Sequence, residues 1–416
     1  MADQIAGMVP RIRFKAYSEP WAEEKIGDVL AEKRRPIVLE DVQRYELITV
    51  KRRNEGVVSR GHLLGRNILV KNYAQLKAGD FVISKRQVVH GATGIVPPAL
   101  DGAIVSNEYL AAVDNEKLLS EFLAIVASLP AMRRKFFLSS YGVDIEKLFF
   151  DADDWKKRSV ILPDVQEQSR IGQFFQKLDQ LIALHHRKHG RLLALKAAML
   201  QRMFPKPGAV APDVRLSGFS GAWTKCKLAD ISEIKTGPFG SALHASDYVP
   251  DGSPIITTEH FKNWSLPKDK RGIPQVSESD YKRLSSYSLR SGDLVFSRVG
   301  SVDINARVLA TQAGWLFSGR VLRVRLQSAI DSEYMHYELS TDRTRRDVVA
   351  RSVGQTMPSI NTKILGETEV LIPPYFEEQN KIGAIFRKMD ELVEKHATQF
   401  EKLRQIKLAF LEEMFP

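Results

Sequence analysis

Two stretches of this chain are written almost alike, and they decide its architecture. Residues 163–205 read PDVQEQSRIGQFFQKLDQLIALHHRKHGRLLALKAAMLQRMFP, and residues 374–416 read PYFEEQNKIGAIFRKMDELVEKHATQFEKLRQIKLAFLEEMFP. The two stretches align without a gap, and 17 of the 43 positions are identical. Because chance does not produce such a match, the sequence contains an internal repeat.

The repeat extends beyond this block. Residues 10–29 resemble residues 212–231, and LKAGDFVISK at 76–85 resembles LRSGDLVFSR at 289–298. The chain is therefore predicted to consist of two related halves. Its 416 residues and 44% hydrophobic content are enough for two or three folded domains.

The repeated block predicts one long helix in each half. Its apolar residues recur at alternating spacings of three and four, which is the period of a coiled-coil seam. We expect about 38 residues, or roughly 57 Å, in each helix. An isolated helix would expose this stripe to water, so we expect the two helices to pair, antiparallel and about a pseudo-twofold axis. The predicted seam contains Ile171, Phe174, Leu178, Leu181 and His185 in the first copy and Ile382, Ile385, Met389, Leu392 and His396 in the second.

This pairing places His185 opposite His396 at the midpoint. Polar residues in a seam weaken it but fix its register, because only one alignment pairs them with each other. Metal binding by the two histidines is an alternative, but the sequence shows no further ligands, so no metal site is predicted. Gly172 and Gly383 occupy matched positions and indicate a close approach of backbones.

The stretches between the helices have a different character. Short Val and Ile runs punctuated by Gly, Pro, Asn and Asp, such as DLVFSRVG at 293–300, predict strands and turns, while residues 115–137 and 331–352 have helical spacing. The predicted fold class is α+β, with two α/β domains separated by two long helices that form an antiparallel intramolecular coiled coil. The predicted boundaries are 1–160 for the first domain, 163–205 for the first helix, 206–371 for the second domain and 373–416 for the second helix. Trp21 and Trp223, matched across the halves, are predicted core anchors.

Charge and composition narrow the class of partner and the compartment. The chain carries 61 Lys and Arg against 50 Asp and Glu, a formal charge of +11, which suits a polyanionic partner. No apolar run approaches the roughly 18 residues of a membrane-spanning helix, and no secretory signal is recognisable, so we expect a cytoplasmic protein without a membrane partner. The single cysteine, Cys226, excludes an internal disulfide and a multi-cysteine zinc site.

Catalytic motifs are missing from the sequence. It contains no Walker P-loop, no H-E-x-x-H zinc helix and no G-x-S-x-G elbow. IPPYF at 372–376 resembles the catalytic loop of amino-methyltransferases, but Ile372 stands where that loop needs a hydrogen-bonding side chain. GPFGS at 237–241 suits either a phosphate cradle or an ordinary turn. We therefore predict no catalytic residues and a protein that is not an enzyme.

Several motifs carry a resemblance to a known family. These are TGPFGSAL (236–243), GSPIITTEHF (252–261), SGDLVFSRVGSV (291–302) and the matched helix starts LPDVQEQ and PPYFEEQ. With the two long helices, they make the whole chain resemble the specificity subunits of type I restriction-modification systems. The first variable region matches less closely, because it has no GPFGS and reads ISKRQVVHGATG (83–94) where the second reads FSRVGSVDINAR (296–307).

The resemblance implies a function and a set of partners. Each α/β domain would be a target-recognition domain that reads one half of a split double-stranded DNA site. The paired helices would hold the two domains apart and dock two methyltransferase subunits, and the full complex would add two restriction subunits. S-adenosylmethionine and ATP are expected on those partner subunits, and no cofactor is expected on this chain.

Base reading needs side chains that make paired hydrogen bonds to base edges, chiefly Arg or Lys to guanine and Asn or Gln to adenine. The predicted DNA-binding residues lie on polar loops beside the strand signals. They are Lys51, Arg52, Arg53, Lys85, Arg86, Gln87 and His90 in the first domain, and Thr258, Glu259, His260, Lys262, Asn263, Arg298, Ser301, Asn305 and Arg320 in the second. Two other functions stay open: a coiled-coil protein scaffold without DNA specificity, and a self-contained modification enzyme.

Overall fold

The chain forms two compact units. The first is built from two separate segments, and the second is built from one. In the computed structural model, residues 8–69, 72–238, 244, 247–261 and 263–416 are described. Unit 1 comprises residues 1–185 together with 399–416, and unit 2 comprises residues 186–398. The predicted boundaries made each long helix a segment of its own, whereas the structure divides each helix between the two units.

The α-helices of the described residues alternate with strands along the chain. Their bounds are α1 (Ile26–Val29), α2 (Ser120–Ser128), α3 (Pro130–Leu138), α4 (Ala152–Lys156), α5 (Val165–Met203), α6 (Glu278–Arg283), α7 (Ser332–Leu339), α8 (Asp342–Arg351), α9 (Thr362–Gly366) and α10 (Phe376–Glu413).

In unit 1 the strands form two larger sheets and two short pairs. The strands are β1 (Ala22–Lys25), β2 (Ala31–Glu32), β3 (Pro36–Ile37), β4 (Arg44–Val50), β5 (Val57–Leu64), β6 (Tyr73–Gln75), β7 (Phe81–Ser84), β8 (Thr93–Ile95), β9 (Ile104–Ser106), β10 (Tyr109–Val113), β11 (Ser140–Tyr141), β12 (Phe149–Phe150) and β13 (Ser159–Leu162). The sheet orders are β2-β10-β7-β8 and β3-β6-β9-β4-β5, and the pairs are β1-β13 and β11-β12.

Unit 2 repeats the framework of unit 1. Its strands are β14 (Thr224–Lys227), β15 (Ser232–Thr236), β16 (Tyr248–Val249), β17 (Ser253–Ile256), β18 (Gln275–Val276), β19 (Leu294–Ser297), β20 (Asn305–Arg307), β21 (Leu316–Phe317), β22 (Val321–Leu326) and β23 (Glu369–Ile372). The antiparallel pair β14-β23 corresponds to β1-β13, and the sheet β15-β22-β19-β20 corresponds to β2-β10-β7-β8. The other sheet of unit 2, β16-β18-β17-β21, contains the parallel pair β17-β21. The predicted repeat of mixed α and β domains is confirmed.

The two long helices run antiparallel within each unit. In unit 1, the rings of Phe174 and Phe410 meet edge to face with centroids 4.9 Å apart, and the Lys407 ammonium lies 2.5 Å from the Asp179 carboxylate. Moving from Phe174 to Asp179 along α5 therefore corresponds to moving back from Phe410 to Lys407 along α10, so the two helices point in opposite directions. In unit 2, Lys196 of α5 pairs with Asp390 of α10, and the ring of Phe204 packs on that of Phe386 at 5.7 Å. This confirms the predicted pairing of the long helices.

The predicted seam is correct at some positions and one residue out of phase at others. Ile171, Leu178, Ile382 and Met389 are buried, and Phe174 and Ile385 are half-buried against the cores. Leu181 and Leu392, however, are 44% and 40% exposed, and their neighbours Ile182 and Val393 are the more buried residues. This is a correction to the prediction. His185 lies in unit 1 and His396 in unit 2, so their pairing stays a prediction.

The repeated MFP sequence closes the core of each unit. In unit 1, Met414 is buried, and the ring of Phe415 meets the rings of Trp21 and Phe122 at 5.8 and 5.9 Å. In unit 2, Phe204 is buried, and its ring packs on Trp223 and Tyr334 at 6.1 and 5.6 Å. The two tryptophans are 2% exposed, which confirms that they are core anchors.

The matched helical glycines allow other helices to pack closely. A Cβ atom on Gly172 would lie 3.3 Å from the Glu121 carboxylate on α2. A Cβ atom on Gly383 would lie 2.8 Å from the Cβ of Glu333 and 2.9 Å from the backbone nitrogen of Tyr334, at the start of α7. The close backbone approach predicted for these positions is confirmed at Gly383, whereas the atoms nearest Gly172 belong to the Glu121 side chain.

Candidate nucleic-acid interface

In unit 1, several predicted DNA-binding residues come together. Arg52 lies in a single 3-10 turn after β4, and Gln87 and His90 lie in the connection after β7. The Arg52 Nε donates to the Gln87 Oε1 at 2.7 Å, and its Nη2 lies 2.7 Å from the Glu146 carboxylate. The His90 Nε2 lies 3.5 Å from the other oxygen of Glu146. Glu146, which the sequence analysis did not select, therefore joins the two loops.

The remaining candidates of unit 1 lie beside this cluster. Lys51 is exposed and precedes the turn, and Lys85 is half-buried at the end of β7. Arg86 is exposed and pairs with Glu108 at 2.6 Å, and its guanidinium lies over the ring of Phe149 at 5.1 Å. Two cationic residues, Lys85 and Arg86, thus precede Gln87 on the same connection.

Backbone strain marks the turn that carries Arg52. Arg53 has φ of 59° and Asn54 has φ of 57°, in the left-handed region that residues other than glycine rarely adopt. The strain is maintained by hydrogen bonds: the Asn54 backbone N–H donates to the Gly91 carbonyl at 2.7 Å, and its side chain donates to Thr93 at 2.8 Å. Strained turns that are held in this way concentrate at functional sites.

In unit 2, a cleft of about 380 Å³ gathers four predicted residues: Thr258, Glu259, Ser301 and Arg320. Thr258 and Glu259 lie in a 3-10 turn after β17, Ser301 follows β19, and Arg320 precedes β22. Loop residues after three different strands therefore line one concave surface. Its donors and acceptors are of the kind that base edges bind.

His260 and Arg298 are outside the cleft lining and hold the backbone beside it. The His260 Nδ1 accepts the backbone N–H of Thr257 at 2.9 Å, so its neutral ring carries its proton on Nε2. Burial lowers the pKa of His260, which favours that neutral form. The half-buried Arg298 donates from Nη1 to the Gly319 carbonyl at 3.3 Å, and its backbone pairs with Arg320 and Ile360.

Asn305 lies on a strand and away from the surface, which corrects the prediction that it sits on a polar loop. It is fully buried on β20, and its Oδ1 lies 2.7 Å from the Nδ1 of His336. Its Nδ2 donates to the Ser340 hydroxyl at 3.3 Å.

Asn263 is exposed, as a reading residue must be, and Lys262 lies outside the described residues. Of the GPFGS motif, Gly237 passes close to the Ser318 carbonyl, and Phe239–Ser241 also lie outside the described residues.

In each unit an aspartate paired with an arginine precedes the corresponding strand, β7 or β19, although the residues that follow these strands differ. Asp80, which precedes β7, pairs with Arg35 at 2.6 Å, and Asp293, which precedes β19, pairs with Arg325 at 2.7 Å. The residues that follow the same two strands are Lys85, Arg86 and Gln87 in unit 1 but Arg298, Val299 and Gly300 in unit 2. One scaffold thus presents two different sets of side chains.

Among residues 8–69, 72–238, 244, 247–261 and 263–416, no three His, Cys, Asp or Glu side chains are grouped so that they could hold a metal ion. Over the same ranges, every helix is too short or too polar to cross a bilayer.

Comparison with known proteins places both units in one family. The family model for the type I restriction modification DNA specificity domain matches residues 18–193 and again residues 221–405. The type I restriction enzyme MjaVIII specificity subunit of Methanocaldococcus jannaschii is 19% identical over 411 residues, which cover 93% of this chain and 91% of that protein.

Among solved structures, the S subunit of a type I restriction-modification system from M. genitalium is 14% identical. The match has a TM-score of 0.60 and covers 98% of this chain and 99% of that chain. The HsdS subunit of Thermoanaerobacter tengcongensis is 18% identical, with a TM-score of 0.46 and coverage of 95% and 96%. Since the family model matches most of the chain in two copies, the chain belongs to the family of type I restriction-modification DNA specificity subunits.

Proposed function

We propose that this chain reads a split double-stranded DNA site, with one half-site read by each unit. The observation that carries the proposal is the repeated framework with unlike reading residues. Unit 1 presents Arg52, Gln87 and His90, whereas unit 2 presents Thr258, Glu259, Ser301 and Arg320 around its cleft. Two similar domains in one chain suit two half-sites on one duplex.

The chemistry of both sites suits DNA. The formal charge of +11 favours the phosphate backbone, and this attraction weakens as the salt concentration rises, because the release of counterions from DNA is then less favourable. Arginine and glutamine make paired hydrogen bonds to guanine and adenine, and a carboxylate accepts from cytosine. Arg52, Gln87 and Glu146 in unit 1 and Arg320 and Glu259 in unit 2 offer these groups.

The proposal assigns catalysis to partner subunits. We infer that two methyltransferase subunits dock on this chain and bind S-adenosylmethionine, and that two restriction subunits with ATP complete the assembly. This chain then supplies specificity and no catalytic group. The family to which it belongs supports this assignment, as does the lack of a recognisable catalytic motif in the sequence.

A methylation map tests the proposal. Cells would carry the chain with and without its methyltransferase partner, and modified bases would be mapped genome-wide. We expect a split motif with adenine marks on both strands, found only when both proteins are present. Arg320→Ala should relax one half of the motif, and Arg52→Ala the other half. Arg271→Ala, an exposed arginine of unit 2 outside the cleft lining, is the matched control and should leave the motif unchanged.

Two results would contradict the proposal. A complex that binds scrambled and genomic duplexes equally would indicate a protein scaffold without DNA specificity. Methyl transfer or DNA cleavage by the purified chain alone would indicate a modification enzyme.

A further inference from the structure

A loop of unit 2 that the sequence analysis did not select forms part of the cleft. It covers residues 353–359, between α8 and α9, and its ends are joined by two hydrogen bonds of 3.0 and 2.8 Å between Val353 and Ser359. The Gly300 N–H donates to the Pro358 carbonyl at 2.8 Å, and Val299 forms a bridge with Ser359. These backbone contacts attach the loop to the segment after β19. We call it tip loop 2.

The end of tip loop 2 presents an apolar side chain among polar ones. Gly354 adopts φ of 95°, which turns the chain and leaves Gln355 and Thr356 exposed. Met357 is 63% exposed and lines the same cleft as Glu259 and Arg320. Covering an exposed apolar side chain is favourable, so Met357 is placed to make an apolar contact with whatever the cleft binds.

Unit 1 has a counterpart at the same place in its topology. Residues 142–148, here called tip loop 1, lie between α3 and α4, just as tip loop 2 lies between the corresponding helices α8 and α9. Val143 and Ile145 are exposed at its end. Its Glu146 pairs with Arg52 at 2.7 Å and approaches His90 at 3.5 Å. In each unit, the same loop thus brings exposed apolar side chains to the proposed reading site.

We infer that the two tip loops are specificity-determining elements, each of which contacts bases of its own half-site. Met357 would pack against the C5 methyl group of a thymine, the one apolar group that a base presents in the major groove. Gln355 carries the amide that pairs with adenine, and Glu146 carries the acceptor that suits cytosine. The inference deepens the proposed function and rests on it.

A thymine-to-uracil scan tests the contact at Met357. The chain is purified with its methyltransferase partner, and its affinity is measured for duplexes in which each thymine of the unit 2 half-site is replaced by deoxyuridine in turn. One replacement should weaken wild-type binding about four-fold, the factor that corresponds to one buried methyl group. Met357→Ala should bind the thymine duplex about four-fold more weakly and should lose little more on that uracil duplex.

Matched variants separate the two loops and control for folding. Val143→Ser with Ile145→Ser should change preference at the other half-site only. Leu309→Ala removes an exposed apolar side chain of unit 2 that lies outside the cleft lining, and it should change neither half-site. Thermal denaturation of each variant should match that of the wild type, because all of the replaced side chains are exposed.

Several outcomes would overturn the inference. The first is a thymine scan of Met357→Ala that matches the wild-type scan, and the second is a unit 2 half-site made of G·C pairs alone. The third is a variant that loses its methyltransferase partner while its base preference stays unchanged, since tip loop 2 would then be a protein-docking loop. If the wild-type complex shows no sequence preference at all, the proposed function fails together with this inference.

Discussion

Arg13 and Glu167 form a bidentate ion pair that anchors the start of α5 in unit 1. The Arg13 Nε and Nη2 donate to the two carboxylate oxygens at 2.8 and 2.7 Å, and Glu167 is fully buried. Arg215 and Glu378 repeat this fork at the start of α10, with both distances at 2.8 Å. Both pairs lie at matched positions of the repeat, so each long helix is fixed to its domain by the same contact.

Removing one partner of this pair should destabilise unit 1. Glu167→Ala leaves the Arg13 guanidinium buried without its counter-charge, and we expect a loss of about 3 kcal/mol in the free energy of unfolding, measured by denaturant titration. Arg11, whose partner is Glu413, is 82% exposed in its side chain. Arg11→Ala is the control and should lose less than about 0.5 kcal/mol. If the two variants lost the same free energy of unfolding, burial of the Arg13–Glu167 pair would not be what makes it stabilising.

Two helical glycines of unit 2 should respond to alanine with opposite signs. At Gly383 a Cβ would meet Glu333 and Tyr334 at 2.8–2.9 Å, so Gly383→Ala should destabilise the unit by about 1–3 kcal/mol. At Gly190 a Cβ would meet nothing within 4 Å, so Gly190→Ala should stabilise the helix by about 1 kcal/mol. Thermal unfolding of both variants measures the difference. Destabilisation by Gly190→Ala would show that this position is more crowded than the structure indicates.

The repeated MFP residues should stabilise different units. Phe204 is 2% exposed, so Phe204→Ala should destabilise unit 2 by about 3–5 kcal/mol through loss of burial and an unfilled cavity. Met414→Ala should destabilise unit 1 by about 2–5 kcal/mol for the same reason. Hydrogen exchange read by mass spectrometry assigns each loss to a unit. Leu408 lies on α10, which ends just before Met414, but it is 62% exposed, so it provides the control, and Leu408→Ala should leave exchange unchanged.

Unit 2 should lose stability as the pH falls below neutrality. Burial, together with the nearby Lys196 and Arg307, lowers the pKa of His336 to about 3. In the unfolded chain this histidine takes up a proton near pH 6.5, whereas in the folded chain it stays neutral, so acid favours unfolding. We expect a loss of about 2 kcal/mol between pH 7 and pH 5, measured by denaturant titration at each pH.

His336→Asn isolates this effect, because its amide can still donate to Asn305 but does not titrate. The variant should lose less stability than the wild type over the same pH range. An identical pH dependence in the two proteins would show that other groups cause it.

Asn305 and Arg320 should separate stability from recognition. Asn305→Ala leaves the buried His336 without its acceptor, so we expect a loss of about 1–3 kcal/mol in stability and no change in the sequence that is methylated. Arg320→Ala should leave the melting temperature unchanged and relax one half-site. A relaxed half-site in Asn305→Ala, at a temperature where it is fully folded, would return this residue to the DNA-binding set.

The helices were predictable because their signal is local and repeated, but their phase was not. Both Leu181 and Ile182 are apolar, as are Leu392 and Val393, so the sequence offers two adjacent stripes on each helix. The wide stripe exists because each helix packs against its own domain as well as against the other helix. In unit 1, Phe174 contacts Phe410 of α10, while Phe175 is buried in the core.

By itself the sequence determined the duplication, the two long helices, the core tryptophans and the family, since each of these depends on residue types at fixed spacings along the chain. The tertiary structure alone decided which polar side chains face outward. Asn305 and Arg320 both looked like base readers, yet packing buries the first against His336 and leaves the second in the cleft. Glu146 and Met357 reach the proposed reading sites from segments distant in sequence. Such contacts follow from how strands and loops meet in space, which no local pattern encodes.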